Sequence, residues 1–364
     1  MRLGTCVALE IALAAGAVSG VWIGVGRATE LADTYLQARP AAAATVEPRV
    51  IAIAAPLPRA HLEVQPPPPS VPSTVFGAPD AELLPPLGAA AVTGVKLNHG
   101  GTSLSLRVDF ANGARAAFKP QQIHPQSDPR REVAAYRIDR LLGLGRVPPA
   151  KPISIAVADL VAATAPSHRT FIADRLAEEA IARKGVLRGE LSWWIPEIKL
   201  AKLGSHRIDE DDGRKLWRAY LKLGAAIPDE HKALVAQIAS IVLFDVLIDN
   251  PDRWTGSNTM MSPDGSVLYF MDNSMSFSRY AFGHERNVLT LRRMEVFPRG
   301  LVDKLRGLTL EAVQAALALD GDSELGPLLS DEEMRAILAR RDNMLRHVDR
   351  LIAEHGEAAV LAFP

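Results

Sequence analysis

The stretch from residue 248 to residue 277 reads IDNPDRWTGSNTMMSPDGSVLYFMDNSMSF and decides the fold. An apolar helical pattern precedes it, and Pro251 ends that helix near the start of the stretch. Two short runs typical of strands, 259–261 and 267–271, lie on either side of a Pro-Asp-Gly turn and predict a short hairpin. The hairpin returns the chain to its start, so Asp272 after the second strand is expected beside Asn258 before the first.

Asp252, Asn258 and Asp272 supply the side chains that metal-dependent phosphoryl transfer needs. Mg²⁺ and Mn²⁺ prefer oxygen ligands, so Asp272 and Asn258 are candidate metal ligands. Asp252 is left to face an incoming hydroxyl and accept its proton. Each residue taken alone could simply cap a turn or end a strand. Their order together with an upstream lysine and glutamate favours the chemical interpretation.

The lysine ends a hairpin upstream. Residues 103–110 alternate polar and apolar side chains, which predicts a half-buried strand. Asn112-Gly113 then predicts a tight turn and an antiparallel return that ends near Lys119. Before this hairpin, Gly100-Gly101-Thr102 is a small-residue loop whose backbone amides could approach the phosphates of a nucleotide. Most such glycine pairs are only turns, so the loop by itself is a weak signal.

The glutamate begins the next predicted helix. Residues 131–142 place apolar side chains at helical spacing, two glycines follow as stop signals, and Glu132 lies in the first turn. A lysine at a strand end and a glutamate on the next helix could form only a surface ion pair. In a kinase, the same pair positions the lysine on the α- and β-phosphates of ATP.

With these elements in order, the sequence resembles the secretory-pathway kinase family that includes the Golgi casein kinase, a branch of the atypical kinase superfamily. The resemblance rests on the runs 101–120, 132–149 and 250–277. It implies an α+β, two-lobed protein-kinase-like fold. The small β-rich lobe is expected over residues 91–151 and the mainly helical large lobe over residues 152–364.

The resemblance also implies an ATP-dependent kinase that uses Mg²⁺ or Mn²⁺. Lys119 would hold the ATP phosphates, and Glu132 would orient Lys119 or approach the metal. Asp252 would be the catalytic base, and Asp272 would bind the metal. Asn258 lies six residues after Asp252, whereas protein kinases space this pair by five. The loop is therefore expected to bulge, or a water molecule to replace the amide as a ligand.

The N-terminal quarter of the chain has a different composition. Residues 7–26 are almost entirely small and apolar, which predicts a transmembrane anchor or signal peptide within residues 1–30. Residues 31–90 are rich in proline and alanine and predict a disordered linker. The kinase-like domain is then expected over residues 91–364. This arrangement predicts an exported or membrane-anchored protein with an extracytoplasmic, periplasmic domain.

Charge and cysteine content exclude several classes of protein. The chain has 364 residues with 41 Lys and Arg against 42 Asp and Glu, so no global field attracts nucleic acid, and no nucleic-acid partner is predicted. Cys6 is the single cysteine, which excludes an intramolecular disulfide and a multi-cysteine zinc site. Animal members of the family carry disulfides, so the resemblance favours a bacterial-type member.

The acceptor and the activity stay open at this point. Family resemblance favours a protein Ser/Thr hydroxyl or a glycan hydroxyl as the acceptor, and the sequence does not choose between them. The alternative function is a pseudokinase that binds nucleotide and scaffolds or activates a partner. A purely structural anchored scaffold would explain the linker but not the ordered acidic residues. The oligomeric state is not predicted.

Overall fold

The computed structural model of the chain describes residues 74–98, 102–256 and 258–364. The predicted anchor, most of the predicted linker and two of the three predicted loop residues, Gly100 and Gly101, lie outside these residues. The described chain opens with a 3₁₀ turn, followed by the short helix α1. Their bounds are Thr74–Phe76 for the turn and Asp80–Leu83 for α1.

The small lobe is built on an antiparallel sheet with the strand order β1-β2-β3-β6-β4, and β5 pairs with β6. Its strands are β1 (Val92–Leu97), β2 (Leu106–Phe110), β3 (Arg115–Pro120), β4 (Ala150–Ala156), β5 (Ala182–Arg183) and β6 (Val186–Trp193). The β2–β3 hairpin is the one predicted from the alternating pattern. Gly113 adopts a φ of 83° in its turn, a conformation that glycine accepts without steric cost.

The predicted glutamate helix is α2 (Pro129–Leu141). Asp128 caps its first turn by accepting a hydrogen bond from the Arg130 backbone N–H at 3.0 Å. Its buried side chains, including Val133 and Ile138, belong to the core of the large lobe rather than to the core under the sheet. The helix therefore joins the two lobes and carries Glu132 between them.

The small lobe extends further along the chain than the sequence indicated. Between β4 and β5 the chain forms α3 (Val157–Ala162) and α4 (Arg169–Glu179), and α4 buries side chains in the small-lobe core. Strand β6 then pairs with both β3 and β4. The expected division between residues 151 and 152 falls inside β4, so the small lobe continues to about Trp193.

The large lobe is mainly helical. Its helices are α5 (Asp211–Tyr220), α6 (Asp229–Ile248), α7 (Glu285–Arg292), α8 (Arg299–Arg306), α9 (Leu310–Ala318), α10 (Asp331–His355) and α11 (Glu357–Val360). Its short strands are β7 (Lys199–Leu200), β8 (Lys202–Leu203), β9 (His206–Arg207), β10 (Met260–Met261) and β11 (Leu268–Tyr269). Strands β10 and β11 pair antiparallel and form the hairpin predicted between the two ends of the acidic stretch.

Helix α6 forms the centre of the large-lobe core. Within the described parts of the chain it is the one helix long and apolar enough to cross a membrane. Within the protein, 67% of the most apolar 18-residue stretch of this helix is buried, so packing within the lobe accounts for its apolar composition. The helix ends at Ile248, and Asp249 follows in the left-handed conformation with a φ of 56°.

Residues 74–90, which the sequence assigned to the linker, pack on the folded domain, and we call them the N-terminal strap. Phe76 is only 4% exposed. Its ring stacks on Tyr269 of β11 at a centroid distance of 5.7 Å and meets Trp193 of β6 edge-on at 5.9 Å. Because β6 belongs to the small lobe and β11 to the large lobe, the strap contacts both lobes.

An ion pair fixes the strap to helix α2. Asp80 accepts hydrogen bonds from Arg140 Nε at 2.5 Å and from the Tyr136 hydroxyl at 3.0 Å. The side chains of Arg140 and Asp80 are 7% and 14% exposed, so water screens this pair far less than a surface pair. The strap therefore braces the end of α2 opposite to Glu132.

Asp80→Ala should destabilise the domain, because it removes the strap's carboxylate and leaves two largely buried donors on α2 without this acceptor. We expect the free energy of unfolding to fall by about 1–3 kcal/mol. Asp303→Ala is the control, since its pair with Arg306 is exposed and should change stability by less than about 0.5 kcal/mol. Urea unfolding of the full-length protein measures both, and equal effects would contradict a bracing role for the strap.

Candidate active site

Lys119 lies at the centre of the site, between two carboxylates. It is on β3, and its Nζ donates to Glu132 Oε1 at 2.6 Å and to Asp272 Oδ1 at 2.8 Å. Asp272 follows the β10–β11 hairpin, and Glu132 lies on the first turn of α2. The structure thus brings together three residues that the sequence singled out on three separate elements.

The charges in this group stabilise one another. Burial by itself lowers the pKa of Lys119, but the carboxylates of Asp272 and Glu132 outweigh it and raise that pKa above its ordinary value. In turn, the Lys119 ammonium lowers the pKa of Asp272, although the partial burial of this carboxylate acts in the opposite direction. Lys119 is therefore charged and held in place near neutral pH.

Glu132 also holds the residue that follows Asp272. Its second oxygen, Oε2, accepts a hydrogen bond from the Asn273 backbone N–H at 2.9 Å. Asp272 has a φ of 55°, a left-handed conformation that costs energy for a residue with a side chain. The bond from Asn273 therefore helps to hold Asp272 in the conformation that turns its carboxylate toward Lys119.

Glu190 is a further carboxylate in the site, and sequence reasoning missed it. Strand β6 pairs it directly with Lys119 of β3. The residue is 1% exposed, and its Oε2 accepts a hydrogen bond from Ser192 Oγ at 2.8 Å. Burial and then the charge of Glu132 raise the pKa of Glu190 well above its ordinary value. Because Glu190 falls in line with the polar residues Arg188 and Ser192 at every second position of β6, it looks like an ordinary residue of a solvated strand face, and no sequence signal marks it.

Gly189, beside Glu190, allows β3 and β6 to approach closely. A Cβ added at this position would lie 2.4 Å from the Lys119 carbonyl oxygen and 2.8 Å from the Pro120 Cα. Both are backbone atoms, so the strands would have to separate at Lys119. The close approach therefore requires glycine at position 189.

Gly189→Ala should destabilise the domain by about 1–3 kcal/mol through overpacking. It should also weaken nucleotide binding, because the strand that carries Lys119 must move. Gly300→Ala is the control, since nothing lies within 4 Å of a Cβ added there. Thermal unfolding and calorimetric titration with ATP measure the two effects. If Gly189→Ala unfolds and binds ATP as the wild-type protein does, strands β3 and β6 can separate at Lys119 without cost.

Asp252 lies on the loop after α6, held by its own neighbours. Its Oδ2 accepts a hydrogen bond from Asn258 Nδ2 at 2.8 Å, and its Oδ1 accepts one from the Thr255 hydroxyl. The Asn250 side chain accepts the Asp252 backbone N–H at 3.1 Å. The carboxylate is thus oriented on two sides while the residue stays partly exposed.

The side chain of Asn258 is held against Asp252 through its Nδ2 atom. Its Nδ2 donates to both the carboxylate and the carbonyl oxygen of Asp252, which leaves Oδ1 as the atom that could bind a cation. Gly256 adopts a φ of 59° in the intervening loop. This left-handed residue lets the loop turn back to Asp252, although Asp252 and Asn258 are separated by one residue more than the corresponding pair in protein kinases.

A buried arginine connects the Asp252 loop to the Asp272 segment. Arg253 is fully buried and pairs with buried Asp245 of α6 at 3.2 Å. Its guanidinium also donates to Asn273 Oδ1 at 2.7 Å and to the Met271 carbonyl oxygen. Burial raises the pKa of Asp245 to about 6, although the charge of Arg253 opposes the rise. Arg253 is therefore a positioning residue for both acidic segments.

Lys119, Glu132, Asp272 and Asn258 line a cleft of about 430 Å³ between the lobes, and Asp252 lies next to it, hydrogen-bonded to the lining residue Asn258. Its polar side chains are Asn98, Ser103, Ser105, Lys119, Glu132, Glu190, Ser192, Asn258 and Asp272. Its apolar and aromatic side chains include Val147, Trp193, Trp194, Ile195, Ile198, Met260 and Met271. Thr102 is exposed beside the cleft and is not among its lining residues. The cleft therefore has an apolar part and a charged part, which suits a ligand with a flat ring at one end and charged groups at the other.

The donor set fits a divalent cation only in part. Across residues 74–98, 102–256 and 258–364, no three carboxylates, histidines or cysteines are arranged to hold a metal by themselves. Asp272, Glu132 and Asn258 offer oxygen atoms, which Mg²⁺ and Mn²⁺ prefer. Such a cation would therefore need ligands from water and from the phosphates of a nucleotide, as is usual for Mg²⁺ at nucleotide sites.

Comparison with known proteins relates the chain to secretory kinases. No protein-family model matches it. The human extracellular serine/threonine protein kinase FAM20C is 23% identical over 334 residues, which cover 77% of this chain and 55% of that protein. Human glycosaminoglycan xylosylkinase is 23% identical over 300 residues, or 72% of each protein. The human pseudokinase FAM20A is 22% identical over 332 residues, covering 76% of this chain and 59% of FAM20A.

Solved structures show the same fold. The Golgi casein kinase aligns with a TM-score of 0.60 at 17% identity and covers 78% of each chain, and its form with Mn and ADP bound aligns equally well. The hydra Fam20 structure with sugar aligns with a TM-score of 0.58 at 19% identity, over 77% of this chain and 92% of that one. The predicted kinase-like fold and the resemblance to the secretory-pathway kinase family are confirmed, whereas the bacterial-type assignment stays a prediction. The aligned region spans little more than half of FAM20C.

Proposed function

From its similarity to the secretory-pathway kinases, we propose that the chain is an ATP-dependent kinase that phosphorylates a hydroxyl acceptor with the help of Mg²⁺ or Mn²⁺. The observation that carries the proposal is the contact of Lys119 with both Glu132 and Asp272. This contact joins the three polar groups that a kinase needs around the phosphates of ATP. The complete set favours an active enzyme over a binding module.

Each residue has a role that follows from its contacts. Lys119 binds the nucleotide phosphates, and Glu132 positions Lys119 and, through the Asn273 backbone, Asp272. Asp272, with the Oδ1 of Asn258, would hold the cation, which balances the charge of the phosphates. Gly100-Gly101-Thr102 stays a prediction for the phosphate loop, and its first two residues lie outside the described residues.

Asp252 acts on the acceptor. Its carboxylate accepts the proton of the acceptor hydroxyl as that oxygen forms a bond to the γ-phosphorus of ATP, and the bond to the departing ADP breaks. The hydrogen bonds from Asn258 and Thr255 fix the orientation of the carboxylate. This arrangement serves any acceptor hydroxyl that reaches the partly exposed Asp252.

The acceptor is proposed as a protein Ser/Thr or a glycan hydroxyl, after the kinases that the chain resembles. A glycan acceptor has support in the xylosylkinase, which the alignment covers more fully than it covers FAM20C. We also propose an extracytoplasmic domain attached to the membrane through the N-terminal apolar segment, which lies outside the described residues. Protease accessibility in intact cells would test that location.

The pseudokinase is the second candidate, because FAM20A is among the similar proteins. To separate the two, the full-length protein is incubated with γ-labelled ATP, Mg²⁺ or Mn²⁺, and either casein or a xylose-bearing glycosaminoglycan primer. Label on one acceptor supports the kinase and selects the acceptor class. Metal-dependent ATP binding by calorimetry with no label on either acceptor or on the protein itself would favour the pseudokinase.

A further inference from the structure

A second cavity, of about 520 Å³, lies on the large lobe between helices α7 and α10, and we call it the basic groove. Its basic side chains are Arg292, Arg340, Arg346, His347 and Arg350, and no carboxylate is among its lining residues. Its apolar side chains are Val246, Phe282, Val288 and Leu291. The groove thus combines positive charge with apolar surface, and it shares no lining residue with the cleft around Lys119.

Two of the arginines in the groove carry charge that no carboxylate among the described residues pairs with. Among the described residues, Arg292 and Arg346 have no carboxylate within ion-pair distance. Within the described ranges Arg346 donates only to the Asn343 side chain, and Arg350 pairs with exposed Glu354 at 3.0 Å. A concave surface with uncompensated arginines attracts a negatively charged partner.

Arg340 gives the groove a rigid buried charge. Its side chain is fully buried, and Nε donates to the Leu247 carbonyl oxygen at 2.8 Å. Nη1 donates to the carbonyl oxygens of Ser278 and Tyr280, both at 2.9 Å. Its Nη2 is buried without a hydrogen-bond partner among the described residues, and a buried unpaired donor of this kind favours an additional acceptor.

The apolar part of the groove shows which kind of ligand it fits. Phe282 is 74% exposed, and Leu289 on the neighbouring surface of α7 is 41% exposed. A small phosphate ligand would use the arginines but would leave these side chains in water. Arginine together with exposed aromatic residues is the composition of protein interfaces. From Arg340 to Arg350, α10 presents basic side chains over ten residues, about 15 Å of helix.

We propose that the basic groove is a docking site for an acidic amphipathic segment of a protein partner. The acidic side chains of the segment pair with Arg346, Arg350 and Arg292 along the rim. Its apolar side chains cover Phe282 and the half-buried Val288, as when an amphipathic helix lies in a groove. This site is separate from the proposed kinase activity, and its test needs no catalysis.

The test measures the binding of a fluorescent 18-residue peptide with glutamate and leucine at helical spacing to the full-length protein by anisotropy. Arg346→Glu should weaken binding about tenfold or more, and replacing every glutamate of the peptide by glutamine should do the same. Arg335→Glu is the matched control, because Arg335 is an exposed residue of α10 outside the groove. It should change affinity less than about twofold.

Three results would overturn the proposal. Equal losses for Arg346→Glu and Arg335→Glu would mean that the peptide responds to overall charge. Equal binding of the glutamine peptide would mean that charge complementarity is not used. Binding of inositol hexakisphosphate that depends on Arg346, with no binding of the acidic peptide, would assign the groove to a phosphate ligand instead.

Discussion

An Asp252→Asn variant should transfer phosphate about 10²- to 10⁴-fold more slowly than the wild-type protein, which is the usual contribution of a general base. The substitution keeps the shape of the side chain and an oxygen that can accept the hydrogen bond from Asn258. It removes the negative charge that accepts the proton of the acceptor hydroxyl. The loss should therefore appear in the rate of transfer and not in the binding of ATP.

Labelled-phosphate transfer and calorimetric titration with ATP measure these two quantities on the same protein. Asp264→Asn is the matched control, because Asp264 lies in the turn of the β10–β11 hairpin and its carboxylate accepts hydrogen bonds from Ser262 and Ser266. An asparagine supports such a turn equally well, so transfer should stay within about twofold of wild type. Near-normal transfer by Asp252→Asn would show that another group accepts the proton.

An Arg253→Leu variant should lose about 3–5 kcal/mol of unfolding free energy, because it leaves the buried carboxylate of Asp245 without its charged partner. The Met271 carbonyl oxygen and Asn273 Oδ1 each lose a hydrogen bond from Arg253 as well. Both groups adjoin Asp272, so the variant should weaken metal-dependent ATP binding even where it remains folded.

The double variant Arg253→Leu with Asp245→Leu distinguishes the cost of leaving one buried charge unpaired from the cost of losing the packing of the arginine side chain. Because both buried charges are removed together, it should be more stable than Arg253→Leu alone. Arg279→Leu is the surface control, since its pair with Glu332 is exposed on both sides and should contribute less than about 0.5 kcal/mol. Urea unfolding measures all three variants. A loss below 1 kcal/mol for Arg253→Leu would contradict the positioning role.

The elements that could be predicted are those in which local signals agree with the tertiary structure. The alternation before Asn112-Gly113 and the turn chemistry of that pair both indicate the β2–β3 hairpin, which the structure contains. The β10–β11 hairpin likewise follows from its central turn. These two hairpins place Lys119 and Asp272, so their meeting with Glu132 could be expected from the order of the motifs.

Other features depend on packing that leaves little trace in a single sequence. Glu190 joins the site only through the pairing of β6 with β3, two strands far apart in the chain. The strap has a composition rich in proline and alanine, which predicts a linker. Its fixed position depends on the individual contacts of Phe76 and Asp80 with distant residues.

The role of Asn258 shows the limit of counting residues. Its extra separation from Asp252 predicts a bulged loop or a water molecule in place of the amide as a metal ligand, and the structure shows a direct hydrogen bond between the two side chains. Gly256 makes this contact feasible through its left-handed backbone. The spacing of the motif thus indicated an irregular loop but not its conformation.

The most direct test of the central claim is γ-phosphate transfer by the full-length wild-type protein and by Asp272→Ala, measured with Mg²⁺ and with Mn²⁺. The wild-type protein should label an acceptor or itself with at least one of the two metals. Asp272→Ala should abolish the label while its unfolding transition stays cooperative. Transfer that is unchanged in Asp272→Ala, or absent from a wild-type protein that binds ATP, would contradict the assignment of this cleft as a kinase active site.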